Sequence, residues 1–223
     1  MKIAPKPNKE LLRLRSLSNY DILDTPREEE FDIITDLASV VTNSSISLIS
    51  LIDQNRQWFK AHTGLSINET GRDEAFCSHA ILEPQNVMVV HDARTDSRFS
   101  DNPLVTGFPN VIFYTGIPLI NEEGFALGTL CVIDHEPKEL SVGQIEALKV
   151  LAKQAMKLME LRKNKVKGIK TSENSISLLS ELILQNFGDK LDEEIKGYLE
   201  KISKCADNYE AIREKLKSQA VIH

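Results

Sequence analysis

The chain has 223 residues and a formal net charge of −6, with 41% hydrophobic and 27% charged residues. These values suit a soluble protein of one ordinary domain plus extra material, and they disfavour a basic nucleic-acid footprint or a Lys-rich membrane-surface helix. No apolar run reaches the roughly 18 residues a membrane-spanning helix needs, MKIAPKPNKE lacks the apolar centre of a secretory signal, and Cys77, Cys131 and Cys205 are too few and too scattered for a disulfide framework, so a cytoplasmic protein with reduced thiols is expected.

Residues 1–10 read as a flexible tail. Leu11, Leu14 and Leu17 recur every third residue, which predicts a short amphipathic helix. At Asp24-Thr25-Pro26, Thr25 can cap a helix and Pro26 suits a first turn. Phe31, Ile34, Leu37, Ala38 and Val41 then follow the helical period, predicting a helix over 27–42 with one buried face. Serine and aliphatic residues alternate over 45–53 as in a strand. Residues 56–62 form a second strand after an Asp53-Gln54-Asn55 turn.

The stretch 63–110 differs in character. Its glycines and prolines break up short apolar runs, leaving a short helix over 74–82, a strand over 87–91 and much loop. A long ordered loop inside a compact domain is uncommon and often functional. FYTGIPLINEEGFALGTLCVID (113–134) then reads as two apolar strands around an Asn121–Gly124 turn, where Gly124 supplies a positive φ. Ser141 with Gln144 makes a capping box. Ile145, Leu148, Leu151, Ala152, Ala155, Leu158 and Met159 give the helix that follows a continuous stripe, with no breaker before Gly168. The order of elements defines an α+β fold, an antiparallel sheet flanked by helices.

Six pieces of the sequence, in order and consistently spaced, resemble the GAF domains of bacterial signalling proteins: YDILDTPREEEFD (20–32), ISLISLIDQNRQWFKAHTGL (46–65), RDEAFCSHAI (72–81), VHDARTDSRFSDNPLVTG (90–107), FYTGIPL (113–119) and GTLCVID (128–134). The resemblance covers about 9–163, giving a sensor domain over 11–163. It implies a GAF-like sheet with the 113–134 hairpin in its middle and a ligand pocket beneath the 64–112 lid.

The ligand-facing candidates are Cys77, His79, Asp92, Arg94, Asp96, Arg98, Asp101, Asn102, Phe113 and Tyr114. The lid's charged and amide groups could orient a polar ligand over an apolar floor of Phe113, Ile117, Leu130 and Val132. Alternatively its Asp and Arg residues pair with one another and staple the loop. Cys77 could be a redox thiol with His79 or Arg72 stabilising its thiolate, or a small buried residue. Attachment of a linear tetrapyrrole, known in related photoreceptors, is disfavoured because Ser78 separates Cys77 from His79. Cys77-x-His79 is too sparse for structural zinc, so no metal site is expected, and the sequence names no cofactor.

Residues 164–223 read as a helical hairpin. Tyr198, Ile202, Cys205, Tyr209, Ile212 and Leu216 step by 4, 3, 4, 3 and 4 residues, a narrow seam suited to dimerisation into a four-helix bundle or to folding back on the sensor domain. Residues 177–216 resemble the dimerisation and phosphoacceptor hairpin of sensor histidine kinases. Lys167 stands where that family carries its phosphorylatable His, so the resemblance does not imply autokinase activity.

The expectation is a non-catalytic signal-transduction protein: a sensor of a small molecule or partner, relayed through the connector helix to a homodimeric hairpin, with a histidine kinase or response regulator as partner. The alternative is a thiol enzyme, such as a free methionine sulfoxide reductase using Cys77. That reading needs a resolving cysteine, and Cys131, set between Leu130 and Val132, reads as inert.

Overall fold

The computed structural model describes residues 1–166 and, further on, Ile183, Leu184, Glu193, 195–197, Leu199 and Glu200. The chain divides into two compact units, Met1–Lys170 and Thr171–His223. In the first, α1 (Glu10–Ser18) and α2 (Glu29–Thr42) precede β1 (Ile46–Ile52), β2 (Arg56–Thr63) and β3 (Glu69–Gly71). α3 (Phe76–Ala80), β4 (Met88–Val90) and α4 (Pro103–Thr106) lie within the lid. β5 (Phe113–Ile120), β6 (Ala126–Asp134) and α5 (Val142–Val166) complete the unit.

The six strands form one antiparallel sheet in the order β3-β2-β1-β6-β5-β4. The central pair joins strands far apart in sequence, Leu48 facing Cys131 and Ser50 facing Thr129. Close approach here depends on Gly128, where an added Cβ would lie 1.8 Å from the Ser50 carbonyl oxygen. The turn between β5 and β6 forms as expected, with Gly124 at φ +81°.

Successive strand residues point to opposite faces. Ile49, Leu51, Leu130, Val132, Phe113 and Ile117 all lie on the back, where α2 and α5 pack. Phe31, Ile34, Leu37 and Val41 supply the buried face of α2, and Leu148, Leu151, Ala155 and Met159 that of α5. Burying a Leu- or Phe-sized side chain is worth about 1.5–3 kcal/mol, so this back layer is a main source of stability. The α5 capping box forms: the Ser141 amide donates to Gln144 Oε1 at 2.9 Å, and the Gln144 amide donates to Ser141 Oγ at 3.3 Å.

Two local expectations are corrected. α2 begins at Glu29, after Pro26, and Thr25 does not cap it. The Thr25 hydroxyl donates to the Ile22 carbonyl at 2.7 Å and accepts from Lys60 at 3.1 Å. Residues 1–9 are not a free tail. They run across the lid, where the Lys2 amide donates to the Arg98 carbonyl, the Lys2 carbonyl bonds His79 Nε2, and the Met1 ammonium pairs with Asp101. The three-residue edge strand β3 lacked the alternation by which longer strands are read. The hairpin read over 164–223, including Lys167, lies outside the described residues except for the few helical positions named above.

Candidate functional site

The lid packs directly onto the front of the sheet. Phe76, Phe99, Val105 and Ile112 share one buried cluster with Ile46, Leu48, Ile52 and Ile133 from the strands. The Phe76 and Phe99 rings stack with centroids 3.9 Å apart, and Tyr114 lies 5.2 Å from Phe76. The front layer is therefore filled by the chain's own side chains.

A polar nest sits inside this apolar layer. Cys77, the second residue of α3, brings its sulfur against the centre of the sheet. Ser50 Oγ, Thr129 Oγ1 and Tyr114 OH donate to Cys77 Sγ at 3.1, 3.0 and 3.3 Å, and Cys131 Sγ lies 3.8 Å away. Ser50 and Thr129 face each other across β1 and β6, with oxygens 3.2 Å apart. Tyr114 reaches the sulfur because its ring lies over Gly116, where a Cβ would meet the phenol oxygen at 2.2 Å. All five side chains are buried. Burial pushes the Cys77 thiol up, but hydrogen bonds from Cys131, Ser50, Thr129 and Tyr114 outweigh it and hold the thiol at about 7. The Cys131 thiol is held up by its bond to Cys77 and by burial, so Cys77 is the more acidic of the pair.

The other candidates are dispersed. His79 faces the edge of the Phe99 ring and bonds the Lys2 carbonyl; burial lowers its pKa. Asp92 holds Arg94 through two ion-paired hydrogen bonds of 2.9 and 2.7 Å, and Asp96 holds Arg98 likewise at 3.0 and 2.6 Å. In each pair the carboxylate also accepts the arginine's own backbone N–H. These four residues thus staple the loop, and Asp101 is occupied by the chain terminus. Asn102 is buried; its Oδ1 caps α4 by accepting from the Leu104 amide at 2.8 Å, and its Nδ2 donates to the Glu74 carbonyl at 2.9 Å. Phe113 lies on the back face with Ile117, Leu130 and Val132, so the expected apolar floor faces the helices. The pleat sets this parity, and the front floor consists of the neighbours Ser50, Tyr114, Thr129 and Cys131.

Arg72 does not reach Cys77. It donates to Glu10 Oε1 at 2.6 Å and to the Asp53 carbonyl at 2.8 Å. Glu10 also takes a two-bond pairing from Arg13. Burial raises this carboxyl, and the two guanidiniums outweigh it, holding Glu10 at about 2. Beside Arg13, an open cleft of about 410 Å³ runs between residues 5–9, Leu82 and Phe125. Among the described residues no group of His, Cys, Asp and Glu is arranged to hold a metal ion. No described helix is long and apolar enough to cross a membrane.

A second polar cluster, unread in the sequence, grips the far part of α5. Lys60 on β2 is almost wholly buried and donates to Glu28 at 2.6 Å and to the Pro26 carbonyl at 2.7 Å. Glu28 also pairs with Arg162 of α5 at 3.0 Å, and Tyr20 donates to Glu160 of the same helix. The sequence carried little signal for it, since RQWFKAHT is mostly polar and the burial of Lys60 between Phe59 and Ala61 is set by tertiary packing.

A sheet with packing helices behind, an irregular lid in front and a buried polar nest between them defines a small lidded α+β domain. Residues 26–158 match the GAF domain family model, more than half of the chain, and the chain belongs to that family. It is 43% identical over 138 residues to a cyclic di-GMP phosphodiesterase of Pseudomonas aeruginosa, a match covering 62% of this chain and 23% of the relative. The chain thus spans about a quarter of the length of that curated relative. Among solved structures, the GAF domain of an Acinetobacter phosphoenolpyruvate-protein phosphotransferase superposes with a TM-score of 0.50 at 18% identity, covering 69% of this chain and 94% of that one. The chromophore-binding domain of a bacteriophytochrome from R. palustris gives 0.50 at 11% identity, covering 72% and 65%. These two bear on the fold alone.

The comparisons correct one expectation and leave another without support. A non-catalytic assignment does not stand, because a relative sharing this domain at 43% identity is named an enzyme. The resemblance of 177–216 to a kinase hairpin lies beyond the family match, which covers 26–158, and gains no support from it. The sensory and regulatory class of the domain stands.

Proposed function

We propose that this chain is a signalling protein in which a change beneath the lid is relayed through the sheet to α5, and from α5 to an output segment. The observation that carries this reading is the shared sheet. β5 and β6 present Tyr114, Thr129 and Cys131 to the front and pack against α5 with their other face. A displacement of either strand therefore reaches α5 in one layer of contacts, as shear between packed elements requires. The Lys60–Glu28–Arg162 cluster adds a polar tie between β2 and α5.

The phosphodiesterase relative supports turnover of a cyclic dinucleotide as the kind of output such a domain controls. The seam from Tyr198 to Leu216 supports a homodimer as the form in which α5 acts. The signal is a small molecule or a partner able to displace the lid's own aromatic packing.

Differential hydrogen exchange on the full chain tests this, with and without a small-molecule extract of cells. The reading predicts that an active fraction alters exchange in the lid peptides and in 142–166 together. Altered exchange in the lid with α5 unchanged would remove the relay.

A further inference from the structure

We propose that Cys77 and Cys131 form an oxidant-reactive dithiol whose substrate is a small hydroperoxide and whose product is a disulfide pinning α3 to β6. Two buried thiols at 3.8 Å need to close by less than about 2 Å to reach bonding distance. The required movement falls on α3, a five-residue helix between loops, because Cys131 is fixed by ladder partners on both sides, Leu48 and Gly116. Ser50, Thr129 and Tyr114 all donate to the same sulfur, that of Cys77. Several donors around one sulfur stabilise its thiolate, the nucleophilic form. Cys77 is therefore the attacking atom and Cys131 the resolving one.

The chemistry balances with the hydroperoxide as sole oxidant. Cys77 Sγ attacks the terminal peroxide oxygen, the O–O bond breaks, and the alcohol (water, for hydrogen peroxide) leaves with the thiol proton. Cys77 becomes a sulfenic acid. Cys131 Sγ then attacks Cys77 Sγ, the S–O bond breaks, and hydroxide departs as water with the Cys131 proton. Two thiols lose two electrons and one peroxide is reduced.

Burial defines the substrate. With Phe76 and Phe99 stacked among the lid residues that close this front layer, hydrogen peroxide passes with small lid fluctuations, whereas a bulky aralkyl hydroperoxide needs the lid open. Bond formation stands by itself; only its use as a signal rests on the relay proposed above.

The test uses the full chain carrying Cys205→Ser, reduced and then titrated with hydrogen peroxide or cumene hydroperoxide. Intact mass should fall by about 2 Da, the two hydrogens lost in a disulfide. Peptide mapping should join Cys77 to Cys131 near one equivalent of hydrogen peroxide, with cumene hydroperoxide at least about tenfold slower. In Cys131→Ser, dimedone should trap a sulfenic acid on Cys77. The proposal is overturned if Cys77 accumulates sulfinic acid with no disulfide, or if both thiols stay reduced under excess peroxide. It is likewise overturned if dimedone labels Cys131 in Cys77→Ser as fast as it labels Cys77 in Cys131→Ser. A disulfide that leaves exchange in α5 unchanged supports the site and refutes its use as a signal.

Discussion

Gly128→Ala perturbs the seam on which both the sheet and the nest depend. Gly128 sits in β6 between Leu51 of β1 and Leu119 of β5. A Cβ there would lie 1.8 Å from the Ser50 carbonyl oxygen and 2.8 Å from Leu51 Cα, both backbone atoms with no rotamer to relieve the overlap. Since Cβ contacts below 3.0 Å are essentially never seen, β1 and β6 must part locally by more than an ångström. Overpacking of this kind costs about 1–3 kcal/mol. Weakening two ladder hydrogen bonds adds about 1 kcal/mol each. The expected loss is about 3–5 kcal/mol, against a total stability on the order of 5–15 kcal/mol. Urea unfolding monitored by Trp58, the sole tryptophan and buried on β2, measures it directly. A melting point about 6–20 °C lower should accompany the change. A loss below about 1 kcal/mol would refute the close-approach reasoning.

Three further outcomes follow from the polar clusters. Glu10 is depressed from 4.5 to about 2, so its stabilisation is complete above pH 4.5 and is lost as pH falls toward 2. After discounting for solvent screening it amounts to about 1–2 kcal/mol, and acid unfolding of Glu10→Gln should lack that component; an unchanged acid limb would contradict the pairing. Lys60→Met leaves Glu28 with Arg162 but removes its buried partner, and should cost about 1–3 kcal/mol in urea unfolding, with no cost counting against the cluster. Gly116→Ala should push the Tyr114 phenol away from Cys77 and raise the thiol's midpoint above about 7, read from thiolate absorbance in a Cys205→Ser background; an unmoved midpoint would exclude Tyr114 as a donor.

The back layer was legible because helical and strand periods report burial directly. Phe31 to Val41 and Leu148 to Met159 recur at helical spacing and lie where expected. The capping box at Ser141 and the Gly124 turn are local rules, and both hold. The front was harder to read, because lid side chains fold back on strands more than about fifty residues away. Alternation places Phe113 and Tyr114 on opposite faces, yet both flanks of β5 and β6 are buried, so hydrophobicity could not say which face was the pocket's. Cys131 looked inert between Leu130 and Val132 for the same reason: its strand neighbours point away, and its spatial neighbour, Cys77, lies 54 residues earlier. Thr25 does not cap because α2 begins only at Glu29, and its hydroxyl instead bonds the Ile22 carbonyl and Lys60, the latter a contact that local sequence does not encode.

Relay from lid to α5 is tested most directly by hydrogen exchange on Asn102→Ala. That substitution removes the bond from Asn102 to the Glu74 carbonyl and the cap on α4, loosening the lid without touching α5. The account predicts faster exchange in 74–112 and, with it, in 142–166, beyond that of a back-face variant matched for global stability. Faster exchange confined to the lid, with 142–166 indistinguishable from that matched control, would contradict it.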